Sequence, residues 1–210
     1  MAGNSYLTIE NESQDDFEVK RSHFIGYVKP VKTVEEANDF IAKIKSKHWD
    51  AKHNVYAYIL RDGQVKRYSD DGEPQGTAGI PVLDVLEKSN VVDCCVVVTR
   101  YFGGILLGGG GLVRAYSHSA SIALKAGGII EMSLLKRCSI SCDYTLYGRI
   151  PALIAEHSGN VVDTRFEDIV YVEFLLPVDN LGAFEERLTN LSLGKVSIDI
   201  IGEEFGKNGN

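Results

Sequence analysis

The sequence predicts an α+β protein of two consecutive domains, and three observations carry that expectation. With 210 residues, 44% apolar and 24% charged, the chain is long enough for one large or two modest cores. Its first part switches repeatedly between two-residue and helical periodicity. Its last about 70 residues run strand, helix, strand, strand, helix, strand, the order of a ferredoxin-like βαββαβ sandwich.

The elements follow in order. Phe17 to Lys29 alternates apolar and polar residues with few breakers, which suits one half-buried strand, and Thr33 caps a helix whose apolar stripe is Val34, Ala37, Phe40, Ile41 and Ile44. His53 to Leu60 and Gln64 to Ser69 flank Arg61-Asp62-Gly63 as a hairpin. A polar loop, Asp70 to Gly79, leads into a short helix over Pro81 to Lys88. Val91 to Tyr101 is nearly all apolar and predicts a central strand covered on both faces. After the glycines comes a helix over Leu112 to Ala126, stopped by Gly127-Gly128, and then a closing strand near Gly128 to Ser133. The domain boundary is placed near residue 134, giving domains of 1–134 and 135–206 and a tail of 207–210. In the second domain strands are expected over Lys136 to Tyr144, Asn160 to Glu167, Ile169 to Val178 and Val196 to Phe205. Helices are expected over Leu146 to His157 and Leu181 to Leu191.

No apolar run approaches the roughly 18 residues that span a membrane, and Met1 to Lys20 is polar and acidic, so a cytoplasmic protein with no membrane partner is expected. Cys94, Cys95, Cys138 and Cys142 read as buried small hydrophobes, because no further Cys or His pair stands near Cys138 and Cys142 to complete four metal ligands. Residues 1–130 carry 15 Lys and Arg against 16 Asp and Glu, and residues 131–210 carry 7 against 13. A nucleic-acid partner therefore needs a local patch on the first part.

The glycine stretch Gly103 to Gly111 holds six glycines in nine residues between a buried strand and a helix. Glycine permits positive φ and close backbone approach, and a helix N-terminus offers free N–H groups, so phosphate is the natural ligand for Gly103, Gly104, Gly108, Gly110 and Gly111. Arg100 and Arg114 flank the stretch and suit bidentate phosphate contacts. The alternative is a tight turn with no ligand. Neither a Walker-type motif nor the acidic residue of a dinucleotide fold is present, and Ser117, Ser119 and Ser121 stand further from the glycines than in glycine-serine kinase loops. Asp70, Asp71 and Glu73 suit a hard cation or acid-base work, or turn formation, or pairing with Arg100 or Arg114 to fix one loop against the other; Thr77 belongs to the same loop. His53 and His118 lack a nucleophile elbow to serve. Lys43, Lys45, Lys47 and Lys52 with His48 and Trp49 form a basic and aromatic cluster that suits RNA or a solvated helix end.

Three segments together carry a family resemblance: Arg21-Ser22-x-Phe24-Ile25; Asp70-Asp71-Gly72-Glu73-Pro74-x-Gly76-Thr77-Ala78-Gly79; and Arg100-Tyr101-Phe102-Gly103-Gly104 with Leu107-Gly108-x-Gly110-Gly111-Leu112-x-Arg114-Ala115-Tyr116. They resemble the YigZ/IMPACT family. The resemblance implies a first domain with the fold of ribosomal protein S5 domain 2, shared with domain IV of elongation factor G, and a second domain similar to that factor's domain V. It implies a translation-related regulatory binding protein that contacts RNA, a ribosome or a translation factor. The alternative is an enzyme acting on a phosphorylated small molecule or nucleotide. No cofactor, metal or catalytic residue is implied, and fold analogy alone does not assign a function.

Overall fold

The computed structural model describes residues 3–207; of the expected tail, 208–210 lie outside the described residues, and Lys207 ends a strand. In chain order the elements are β1 (Ser5–Ile9), β2 (Ser13–Val19), β3 (Ser22–Pro30), α1 (Val34–Lys47), β4 (His53–Leu60), β5 (Val65–Ser69), α2 (Gly79–Lys88), β6 (Cys94–Tyr101), α3 (Gly109–Gly127), β7 (Ile129–Cys142), α4 (Tyr144–Tyr147), α5 (Ile150–Glu156), β8 (Asn160–Phe166), β9 (Val170–Pro177), α6 (Leu181–Ser192) and β10 (Asp199–Lys207). The fold is α+β with two five-stranded sheets, one ordered β2-β3-β6-β4-β5 and the other β10-β7-β9-β8 with β1 also on β7. Contacts group Leu7–Ile130 as one unit, and the chain from Glu131 with the first residues up to Tyr6 as the other.

In the first unit β6 is the central strand, and its two-residue period distributes everything around it. Cys94, Val96 and Val98 pack with residues of α2 and α3, while Cys95 and Val97 pack with Ala37, Phe40, Ile41 and Ile44 of α1. The next residues continue the alternation, so Arg100 falls on the α3 side and Tyr101 on the α1 side. Thr33 starts α1 as the sequence predicts: its Oγ1 accepts the Glu36 N–H at 3.1 Å, and Glu36 Oε2 accepts the Lys32 N–H at 2.6 Å. On the opposite face α3 lies close against β3 because Gly26 has no side chain; a Cβ there would sit 2.5 Å from the Ser119 carbonyl oxygen.

A chain of polar bonds seals the end of α1 to the sheet. Lys47 Nζ donates to the Tyr27 hydroxyl at 3.2 Å, and the Tyr101 hydroxyl donates to Asp50 Oδ1 at 2.9 Å. Between them lies buried His48, with Nε2 2.6 Å from the Tyr27 oxygen and Nδ1 2.8 Å from that of Tyr101. The Tyr101 proton goes to Asp50, so Nδ1–H donates to Tyr101, and in the neutral imidazole Nε2 then accepts from Tyr27. Burial and the neighbouring Lys47 charge favour the neutral imidazole.

In the second unit the predicted β-α-β-β-α-β order is present as β7, α4 with α5, β8, β9, α6 and β10. Cys138, Ile140, Val172, Phe174, Phe184 and Leu188 are among its core. All four cysteines are free and buried, and burial pushes the Cys138 thiol up to about 11. Among the described residues no His, Cys, Asp or Glu group is arranged to hold a metal ion, and no helix is long and apolar enough to cross a membrane.

No expected element covers β1, and three expected elements differ in form. The strand expected over Phe17 to Lys29 is a hairpin, with Val19 paired to Ser22 across a two-residue turn in which Lys20 and Arg21 take φ of 48° and 61°. The strands expected near Gly128–Ser133 and Lys136–Tyr144 are the single strand β7, which passes through the expected boundary at 134. The helix expected over Leu146–His157 is broken into α4 and α5, with Arg149 as the N-cap and Pro151 early in α5.

Two predictions follow from this packing. Gly26→Ala forces α3 away from β3 and lowers unfolding free energy by about 1–3 kcal/mol in urea melts, the usual cost of overpacking. His48 titrates below its usual 6.5, first because of burial and next because of Lys47. The unfolded chain therefore takes the proton first, and the His48 contribution is complete above pH 6.5 and shrinks as pH falls below it. Melting temperatures measured from pH 7.5 down to 5 should fall more steeply in the wild type than in His48→Gln.

Candidate functional site

The loop between β5 and α2 is held by its own carboxylates. Asp70 Oδ2 accepts the Gly76 N–H at 2.9 Å, and Oδ1 accepts those of Ala78 and Gly79 at 3.1 and 2.8 Å, so the side chain satisfies donors at the start of α2. Asp71 Oδ2 accepts the Asn54 N–H and Oδ1 accepts Lys45 Nζ, both at 2.6 Å. The Asp71 carbonyl takes the His53 Nδ1–H at 2.9 Å. The Thr77 hydroxyl donates to the Pro74 carbonyl at 2.6 Å, which closes a turn and leaves its methyl beside Gly109 at the start of α3.

Glu73 and Arg100 meet beneath this loop. Arg100 Nη1 donates to Glu73 Oε1 at 2.6 Å, and the Tyr116 hydroxyl of α3 donates to the same oxygen at 2.7 Å. Both partners are buried, with Glu73 8% and Arg100 6% exposed. The guanidinium carbon lies 5.5 Å from the ring centres of both Phe24 and Phe102. Burial, and then the Glu73 charge, push the Tyr116 phenol far above its ordinary value, so it is a permanent donor. His53 Nε2 stands 4.0 Å from the same Glu73 oxygen. Of the pairings left open by the sequence, the one formed is Glu73 with Arg100, which directs Arg100 inward rather than toward a ligand beside the glycines.

The glycine stretch forms the outer rim. Gly103 lies so close to the Arg21–Ser22 backbone that a Cβ would come 1.9 Å from the Arg21 carbonyl oxygen, and its N–H donates to Ser22 Oγ at 3.2 Å. Gly104 and Gly108 take φ of 84° and 74° with open space around them, so their backbone conformation, not crowding, calls for glycine. α3 then starts with no side-chain cap and no acidic residue in its first turn. The Gly108 carbonyl accepts the N–H groups of Gly111 and Leu112, which leaves those of Gly109 and Gly110 directed outward as at any helix start. Exposed Arg114 reaches back, its Nη1 about 4.0 Å from the position of a Cβ on Gly110.

One surface of this unit therefore gathers Gly104, Gly108, Gly110, Gly111, Arg114 and Thr77. It also gathers groups that were not singled out as site residues. Lys20 Nζ donates to the Leu106 carbonyl at 3.4 Å, Arg21 backs Gly103, and Phe102, Ile105 and Leu106 are exposed, Leu106 by 80%. The signal available in the sequence was the Arg21-Ser22 pair within the resemblance; nothing local marked Lys20. The lysine cluster on α1 lies on the other face of the sheet and is largely paired, Lys43 with Glu12 at 2.6 Å, Lys45 with Asp71, and Lys47 with Tyr27. His118 is exposed and meets Phe17 edge to face.

Removing the carboxylate that balances Arg100 leaves a buried charge alone. Glu73→Ala should cost about 3–5 kcal/mol of stability, whereas Glu73→Gln, which still accepts from Tyr116, should cost less. Urea denaturation of both variants reads the difference.

Residues 20–124 match the Impact N-terminal domain, and residues 140–195 match a domain of unknown function, DUF1949. IMPACT family member YvyE of Bacillus subtilis is 40% identical over 195 residues, covering 92% of this chain and 90% of that protein. IMPACT family member YigZ of Escherichia coli is 34% identical over 189 residues, covering 89% and 93%. A crystal structure described as a hypothetical protein superimposes with a TM-score of 0.60 at 32% identity, covering 95% of this chain and 98% of that one. With two domain matches in the order of the two units and relatives alike over nearly their whole length, this chain belongs to the IMPACT family.

Proposed function

We propose that the protein is a cytoplasmic, translation-related binding protein that holds single-stranded RNA on the surface formed by the glycine stretch and the start of α3. One observation carries this reading: an uncapped helix N-terminus stands beside Lys20 and Arg114, neither of them in an ion pair among the described residues, near exposed Phe102 and Leu106. Outward N–H groups, a partial positive charge and a guanidinium suit a phosphodiester, and the exposed Phe102 ring suits an unpaired base. From Tyr101 to Ile130 the sequence has no Asp or Glu, so nothing on α3 repels a polyanion.

The enzyme alternative asks Asp71 or Glu73 to act as base or metal ligand. Each is instead engaged inside the protein, Asp71 by Lys45 and Asn54 and Glu73 by Arg100 and Tyr116. The ribosomal setting comes from the family resemblance, whose relatives in fold work on the ribosome.

Filter binding of a short oligouridylate at several salt concentrations tests the proposal. The wild type should bind with a salt-dependent constant, and Lys20→Ala with Arg114→Ala should weaken it about tenfold or more. The pair should also flatten the log–log salt slope by about 1.4, given about 0.7 per single-strand phosphate contact. Salt-independent binding, or none, overturns it.

A further inference from the structure

Beside the glycine stretch, between β2 and α3, lies a cavity of about 200 Å³ whose lining includes apolar Phe17, Val19 and Leu107, the cations Lys20 and Arg114, and His118. Phe17 and His118 meet there edge to face, with ring centres 4.6 Å apart. The volume falls below the roughly 300–1,000 Å³ of sites for drug-sized ligands, so it takes one planar ring system, not a whole nucleotide. An apolar slot lined with aromatic rings and edged by cations suits a nucleobase, whose faces stack and whose rim carries hydrogen-bond acceptors. Arg114 belongs both to this lining and to the first turns of α3, so a base in the slot and a phosphate at the helix start are neighbours within one nucleotide.

We propose that the slot receives one unstacked base of a single-stranded RNA whose phosphate sits at the start of α3, an inference that rests on the RNA reading above. Duplex RNA keeps its bases stacked and paired and cannot supply that base without paying to extrude it. The protein therefore discriminates single strands from duplexes through this slot, while the helix start and the cations treat all phosphates alike.

The test compares binding of three probes to the full chain: a hexauridylate, an abasic strand of equal length, and a duplex. The hexauridylate should bind at least about 5-fold more tightly than the abasic strand, the lower end of what stacking one base supplies. In His118→Ala, and in Val19→Trp, which fills the slot, that ratio should fall toward one. Thermal melting of both variants checks their folding, and His118 is exposed on α3, so its truncation leaves the core intact. A 4-thiouridine strand irradiated on the wild type should cross-link to peptides containing Phe17 or His118. Equal affinity for hexauridylate and abasic strand, equal affinity for the duplex, or cross-links confined to other peptides overturns the base slot while the phosphate reading stands. Failure to bind all three overturns both.

Discussion

The pair of Glu73 and Arg100 is the constraint on which the first unit depends. Two groups that are nearly always solvated lie almost wholly out of water, and such a pair is tolerable only when its partners are in place. That requirement couples three separate pieces of chain: the loop after β5 supplies the carboxylate, the end of β6 supplies the guanidinium, and α3 supplies the Tyr116 hydroxyl that donates to the same oxygen. A buried ion pair of this sort adds little net stability over an apolar contact of the same volume. Its effect is positional. With Glu73 anchored, Asp70 can close the start of α2 and Asp71 can hold β4 and α1, and with Tyr116 anchored the start of α3 has a fixed height above the sheet.

The elements set by local periodicity were legible in the sequence. The Thr33 cap, the stripe of α1, the run of β6 and the alternating strands of the second unit each need only neighbours in the chain. The hairpin at Lys20-Arg21 was not legible, because a two-residue turn with positive φ normally announces itself with Gly, Asn or Asp. Here two basic residues adopt it, with the flanking Val19–Ser22 pairing on either side. The sequence of β7 reads as two strands for a related reason: Ser133 and Leu134 interrupt its apolar alternation without turning the chain.

At the site, the glycines and Arg114 were legible as a strand-to-helix turn with a cation, while the pairing of Arg100 with Glu73 was legible only as one of several alternatives, although a stronger signal existed. A run such as Val91–Tyr101, buried on both faces, leaves an arginine near its end no route to water except past the last residues. Parity then places it on the α3 side, where a carboxylate must be found, and the nearest acidic loop is the one that follows β5. Lys20 reaches the glycine stretch only through tertiary structure, since 86 residues separate it from Leu106. No spacing rule finds such a neighbour.

The overall charge sharpens what kind of recognition this surface can perform. At −7 the molecule as a whole repels a polyanion, and at physiological salt fields fade over about 8 Å, so steering from a distance contributes little. Binding has to come from contacts made at close range, where the acid-free stretch of α3, the two outward N–H groups and Arg114 act together. Close-range recognition is sensitive to position, and that returns the burden to the buried pair. A shift of α3 relative to the glycine stretch would separate the helix start from Lys20 and Arg21, which are fixed to the sheet by the Gly103 contact. The internal use of Arg100, which removes one cation from the outer surface, is thus what keeps the remaining cations in register with the helix start.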